Sequence, residues 1–204
     1  MQAKQPVLMS MGLSFGAALA VAIATLALAG ANEHGTLLAL FLTARVSFVL
    51  FWLAYAGSAL ATLFGPTFQP LKQRGREFGL DFASAHLVHL GLVGWLCWIG
   101  AAPGLSVFVF FGIAVVFTYL LALFSIGTLH KALDRRLWWL LRTVGLNFIL
   151  YAFAKDFYRD PLAQSWKFNL VYLPFFGLCV IGVLLRLVAF LQGLGRRDMT
   201  VRAG

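Results

Sequence analysis

The sequence is poor in charge, and this scarcity is its most restrictive feature. Only 11% of its 204 residues are charged, and just 7 of them are acidic. Soluble domains carry roughly a quarter charged residues, so an ordinary cytosolic enzyme, a nucleic-acid-binding module and a disordered tail are all excluded. The chain also lacks a glycine-rich nucleotide fingerprint, a P-loop and a CxxC pair. Any nicotinamide, flavin or ATP chemistry would therefore come from a partner protein.

Cysteine is equally scarce. The two cysteines, Cys97 and Cys179, both lie inside apolar runs, where a free cysteine behaves as a small packing residue. A disulfide framework needs more cysteines at regular spacings, so we expect none here.

Apolar residues dominate instead, with 61% hydrophobic residues and a mean hydropathy of +0.88. About 20 apolar residues suffice for a helix to cross the hydrocarbon layer, whereas a closed β-barrel needs alternating strands of about ten residues. Six runs have the helical length, at about 7–30, 37–64, 79–100, 105–126, 137–154 and 168–192. The predicted fold class is all-α, a polytopic membrane protein in which residues 1–204 form a single six-helix transmembrane bundle. We expect the first span to be retained rather than cleaved as a signal peptide.

The distribution of the net charge of +9 indicates how the helices are oriented in the membrane. Eleven basic residues fall on one side of the six spans: Lys4, Lys72, Arg74, Arg76, Lys131, Arg135, Arg136, Arg142, Arg196, Arg197 and Arg202. The other side holds only three, Lys155, Arg159 and Lys167. By the positive-inside rule both termini are cytoplasmic. We therefore expect a multi-pass protein of the inner (plasma) membrane, with the lipid bilayer as partner and no nucleic acid.

Ionisable groups inside the spans are costly, which makes each a candidate functional residue. His86 and His89 lie in the third span at i and i+3, so they share one helical face. Three interpretations stay open: an axial haem ligand, a proton relay, or a pair that only hydrogen-bonds across helices. As metal ligands, His86 and His89 alone are too few for zinc.

Arg45 is the second intramembrane candidate, about nine residues into the second span. It can snorkel to the outer surface, pair with Glu33, or meet a buried carboxylate such as a haem propionate.

Two stretches resemble the ferric-reductase-like transmembrane family, which includes the haem-binding membrane subunit of the periplasmic methionine sulfoxide reductase system and the membrane core of NADPH oxidases. The first is Thr43-Ala44-Arg45-Val46-Ser47-Phe48, similar to the opening of the family's second helix. The second is Arg74-Gly75-Arg76-Glu77-Phe78-Gly79-Leu80, which leads into His89 as the family's basic loop leads into a haem-ligating histidine. The likeness covers roughly residues 40–145.

This resemblance implies one b-type haem held through His89 or His86 and electron transfer to or from a redox partner protein. It also implies that Arg45 meets a haem propionate and that Ser84 or Ala85 makes room for the macrocycle. Haem would carry the redox chemistry and the bundle would supply the ligand.

The fifth span departs from the family pattern. Trp138-Trp139-Leu140-Leu141-Arg142-Thr143 keeps the tryptophan and arginine setting but has no histidine, so the family's histidine pairs cannot both form. The alternative is a haem-free structural or assembly subunit of a membrane complex. A small transporter or proton-conducting protein is the third class, disfavoured by the lack of broken helices.

Overall fold

The structure, a computed structural model, describes residues 5–126, 129, 133–158 and 166–202, with side chains over 7–126, 129, 133–158 and 171–193. In these residues it contains helices and no strand. Seven α-helices run along the chain: α1 Gln5–Ala29, α2 Glu33–Phe64, α3 Gln69–Gln73, α4 Gly75–Trp98, α5 Leu105–Ser125, α6 Arg135–Phe157 and α7 Trp166–Arg202. All except α3 are long and apolar enough to cross a membrane. The predicted all-α, six-span fold class is therefore confirmed.

The sidedness of the helices stays a prediction, since it depends on charge alone. Several basic residues that carry it lie outside the described part of the chain, namely Lys4, Lys131 and Arg159 and the side chains of Lys167, Arg196, Arg197 and Arg202.

The helices begin and end close to the predicted spans, except where polar residues extend them. Helix α2 begins at Glu33 rather than at 37 because Asn32 caps it: its Oδ1 accepts a hydrogen bond from Gly35 N at 3.0 Å. Asparagine is among the best residues for this role. Gly30, with φ of 87°, ends α1 in the left-handed region that favours glycine. Helix α7 runs on through Pro174 as far as Arg202.

The link from α2 to α4 is ordered rather than irregular, which the hydropathy pattern did not predict. A 3₁₀ turn at Pro66–Phe68 leads directly into α3. A Cβ atom on Gly57 would lie 3.1 Å from the Leu71 carbonyl oxygen. The absence of a side chain at Gly57 therefore lets α3 pack against α2.

The chain divides into two compact units. The first comprises Met1–Phe51 and Arg76–Ala152, and the second Trp52–Gly75 and Phe153–Gly204. The boundaries fall within α2 and α6. The single-domain arrangement predicted for residues 1–204 stays a prediction.

Small residues form the centre of the first unit. A buried cluster from α1, α2 and α4 contains Ala18, Ala22, Ala39, Ala85, Val88 and Leu92. Alanines allow helix backbones to approach closely, which is the usual way that membrane helices gain packing contacts. Hydrogen bonds between helices add to this packing: Ser84 Oγ donates to the Met11 carbonyl at 2.8 Å, and Tyr119 OH donates to the Ala83 carbonyl at 3.2 Å.

Large apolar side chains line the outside of the long helices. In α1 and α5, for example, Leu13 is 64% exposed and Val116 57%. In water such a surface would be an aggregation hazard, whereas hydrocarbon solvates it. Exposure of this kind is what a lipid-embedded protein requires.

The turn between α1 and α2 provides a test of the packing. Gly35 is buried, and a Cβ atom there would collide with the Gly30 carbonyl oxygen and lie 3.0 Å from the Ala29 carbonyl oxygen. We expect Gly35→Ala to lower the free energy of unfolding by about 1–3 kcal/mol, the usual cost of overpacking. Denaturation of the purified protein in detergent measures it.

Gly16→Ala is the matched control, because a Cβ atom on Gly16 meets nothing within 4 Å. This variant should unfold like the wild type or slightly later, since alanine favours the helix. Equal stability of the two variants would contradict the close approach at Gly35.

Candidate functional site

Helix α4 carries both predicted histidines and is the most enclosed of the long helices. Six successive residues at its start, Leu80 through Ala85, are all buried. They include the carboxylate of Asp81, which accepts a hydrogen bond from Ser10 Oγ of α1. A helix buried on every side at this level holds the next turns in a fixed orientation.

His86 and His89 lie on one face of α4, as their spacing predicts. Their rings are stacked, with centroids 5.0 Å apart and planes inclined by 11°. Two axial ligands of one haem approach the iron from opposite sides, which parallel rings on adjacent turns cannot do. The pair therefore offers one axial imidazole at a time.

A hydrogen bond fixes the ring of His89 against α2. Thr43 Oγ1 lies 3.1 Å from His89 Nδ1, and the same oxygen lies 2.8 Å from the Ala39 carbonyl. A threonine hydroxyl has one proton, and the shorter contact with Ala39 takes it. We therefore infer that Thr43 Oγ1 accepts from His89 Nδ1–H, an assignment that would leave the lone pair on Nε2. The His89 ring also hydrogen-bonds the backbone of Leu40 in α2.

His86 has no corresponding anchor. Its Nδ1 is buried and has no hydrogen-bond partner among the described residues. Its ring packs on Phe82, with centroids 5.4 Å apart, and Phe82 in turn meets Phe51 of α2 at 5.2 Å.

The facing residue of α2 is Ser47, midway between Thr43 and Phe51. Since Thr43 meets His89 and Phe51 meets Phe82, the antiparallel register places Ser47 level with His86. Ser47 is fully buried, and its Oγ also lacks a partner in the described part of the chain. Nearby threonines bond to the carbonyl four residues back, as Thr36 does at 2.7 Å. Ser47 does not form such a bond. Ser47 Oγ and His86 Nδ1 are therefore two buried polar atoms at the same height of the α2–α4 interface that lack a hydrogen-bond partner among the described residues.

Arg45 does not join the histidines in the structure. Its Nη1 donates to the Phe41 carbonyl at 2.7 Å, and its Cζ lies 3.2 Å from the centre of the Phe41 ring. Two residues of helix turn the chain by about 200°, so Arg45 and Thr43 lie on nearly opposite faces of α2. A propionate would meet Arg45 only after the guanidinium had left Phe41.

The predicted space for a macrocycle at Ser84 and Ala85 is filled. Ser84 Oγ is bonded to α1 and Ala85 belongs to the buried alanine cluster, with 0% exposure. At these two residues α4 packs directly against α1 and the alanine cluster.

The described residues contain no group of three or more His, Cys, Asp or Glu side chains that could hold a metal ion. Compared with models of protein families, with curated proteins and with solved structures, the chain gives no match.

Thr43 and Ser47 are the site residues that sequence reasoning missed. Both belong to the stretch that carries the family resemblance, yet their contact with α4 depends on the register between two helices. Their spacing of four residues on an apolar helix was the available signal, since small polar residues often bond across membrane helices.

The hydrogen bond to His89 predicts an unequal effect of one substitution at two buried threonines. Thr43→Val removes the hydroxyl acceptor and leaves the His89 ring with its backbone contact to Leu40 alone, whereas among the described residues Thr118 bonds to the Ala114 carbonyl of its own helix at 2.8 Å. We expect Thr43→Val to lower the free energy of unfolding by about 1 kcal/mol more than Thr118→Val does.

Chemical denaturation of both variants in the same detergent measures the difference. Equal losses would show that Thr43 and His89 are not bonded.

Proposed function

We propose that this protein is a multi-pass subunit of the inner membrane that binds one b-type haem through His89 and exchanges electrons with a partner protein. The observation that carries the proposal is the hydrogen bond between Thr43 Oγ1 and His89 Nδ1. Histidines that ligate metals usually donate their other ring N–H in this way, which orients the ring and makes the free nitrogen more basic.

His89 would hold the haem through Nε2. The His86 ring lies beside the His89 ring, with centroids only 5.0 Å apart, so the two cannot enclose one iron between them. Among the described residues the only other histidine on a span is His34, which is exposed in the first turn of α2, nine residues before Thr43. We therefore expect a single haem with one histidine from this chain.

The chain's own residues would position the ligand and keep water away from it. Thr43 holds the Nδ1 proton of His89, and the buried rings of Phe51 and Phe82 close the α2–α4 interface one layer below. A dry and rigid setting of this kind tunes an axial ligand. Haem, when bound, supplies the one-electron chemistry.

Visible spectroscopy of protein purified from haem-supplemented cells tests the proposal. The wild type should show a Soret band with about one haem per chain. His89→Leu should abolish the band, and Thr43→Val should weaken haem retention by about 10–100-fold, as loss of a supporting hydrogen bond does at other metal sites.

His86→Leu is the matched control, because it removes the neighbouring imidazole and keeps the hydrogen bond of His89. Its band should persist. A wild type without a Soret band, or a band that survives in His89→Leu, would refute haem ligation by His89.

A haem-free structural subunit is the second candidate, and one observation favours it. The bond from Thr43 to His89 already ties α2 to α4 without any cofactor, and polar ties of this kind stabilise membrane helices by roughly 0.6 kcal/mol each. This function predicts a wild type without a Soret band in which His89→Leu still lowers the unfolding temperature.

A further inference from the structure

Arg186 is an arginine within a membrane-length stretch, and it faces the protein rather than the headgroups. It lies in α7, seven residues before the end of the span Val171–Gly193, or about 10 Å from that end. Its guanidinium carbon sits 4.4 Å from the centre of the Tyr55 ring of α2. The side chain therefore does not extend to the surface, as snorkelling would require.

The guanidinium is incompletely satisfied. Its Nη1 is buried and has no hydrogen-bond partner in the described residues. An arginine stays charged in proteins, and the face of a tyrosine ring returns only about 2 kcal/mol of the cost of burying a cation. The Tyr55 hydroxyl also hydrogen-bonds the guanidinium. Because the ring and the hydroxyl of Tyr55 are both neutral, the positive charge of Arg186 has no counter-charge among these contacts.

No carboxylate of the second unit lies near this charge. Among the unit's described side chains the only acidic residue is Asp156. It neighbours Phe157, whose ring meets Phe175 of α7 at 5.3 Å. Arg186 is eleven residues further along α7, about 16 Å away along the axis. The counter-charge therefore has to come from outside these side chains.

The surroundings of Arg186 are tightly packed, so the site is preorganised. Trp52 Nε1 of α2 donates to the Leu178 carbonyl of α7 at 2.8 Å. A Cβ atom on Gly182 would lie 3.2 Å from Trp52 Nε1 and 3.4 Å from the Tyr55 ring. These contacts hold α2 and α7 together one and two turns before Arg186.

We propose that Arg186 anchors a binding site for one oxyanion of the phosphate or carboxylate class, carried by a lipid headgroup or free in solution. The planar guanidinium matches such oxygens with two parallel N–H donors. Arg186 is partly exposed, so rotation about its terminal torsions brings the enclosed Nη1 to an incoming oxygen without a change in helix packing. The site lies in the second unit and does not depend on haem.

Thermal unfolding of the full chain in three micelle conditions tests this. The protein is held in a neutral maltoside detergent in phosphate-free buffer, in the same detergent with added phosphatidylglycerol, and in the same detergent with inorganic phosphate in the buffer. We expect an anion near saturation to raise the wild-type midpoint by about 5–10 °C. A rise only with phosphatidylglycerol assigns the site to a lipid headgroup, a rise only with inorganic phosphate assigns it to a free anion, and a rise with both assigns it to either.

Two variants give the test its specificity. Lys72→Gln removes an exposed cation of the same unit and should keep the full rise, whereas Arg186→Met should lose it. In the neutral detergent alone Arg186→Met should unfold at the wild-type midpoint or above, because it removes an uncompensated charge.

Three outcomes would overturn the proposal. In the first, no anion raises the wild-type midpoint. In the second, Arg186→Met gains as much from the anion as the wild type does. In the third, Arg186→Met unfolds well below the wild type in the neutral detergent alone, which would show that the protein itself already satisfies the guanidinium.

Discussion

Hydrocarbon contains no hydrogen-bond partner, so a polar side chain that enters it has to be satisfied by the protein itself. Helix α2 meets this constraint mostly with its own backbone, since Thr36 and Thr43 both donate to the carbonyl four residues earlier. Thr43 goes further, because its oxygen also accepts from His89 of α4. One hydroxyl thereby contacts a buried imidazole and joins two helices.

A few buried polar side-chain atoms have no hydrogen-bond partner among the described residues, and our two proposals start from their surroundings. Buried polar atoms without a partner are rare and each calls for an explanation. Ser47 Oγ and His86 Nδ1 are two of them, at one level of the α2–α4 interface, and Arg186 Nη1 is another in the second unit. Ser47 Oγ and His86 Nδ1 lie beside His89, the residue that we propose as the haem ligand. Arg186 Nη1 is the donor that we propose for an oxyanion.

Most of the fold could be predicted from the sequence, because hydropathy and helix-breaking residues determine where a membrane helix can run. The prediction of 105–126 for the fourth span differs from α5, Leu105–Ser125, by a single residue. The errors arose where local hydrogen bonding, not hydropathy, sets the boundary, as at Asn32. Helix α3 was missed because a five-residue helix that packs through Gly57 has no apolar run to reveal it.

The site was predictable only in part. The spacing of His86 and His89 correctly placed them on one face, because that is a property of a single helix. Their partners depend on how two helices align, which one sequence does not encode in its periodicity, so Thr43 was missed. Arg45 illustrates the same limit, since its position in the span was known but its attachment to Phe41 was not. Haem ligation itself stays a prediction.

We assign the ring proton of His89 to Nδ1, held by Thr43, and its lone pair to Nε2. Nitrogen-15 NMR of histidine-labelled protein in detergent micelles measures this tautomer directly, with His89→Leu to assign the signal. We predict a protonated Nδ1 and an unprotonated Nε2 for His89 in the wild type, and a redistribution of the proton in Thr43→Val. A proton on Nε2 in the wild type would contradict this assignment, because the only lone pair of His89 would then lie on Nδ1, the nitrogen that Thr43 already contacts.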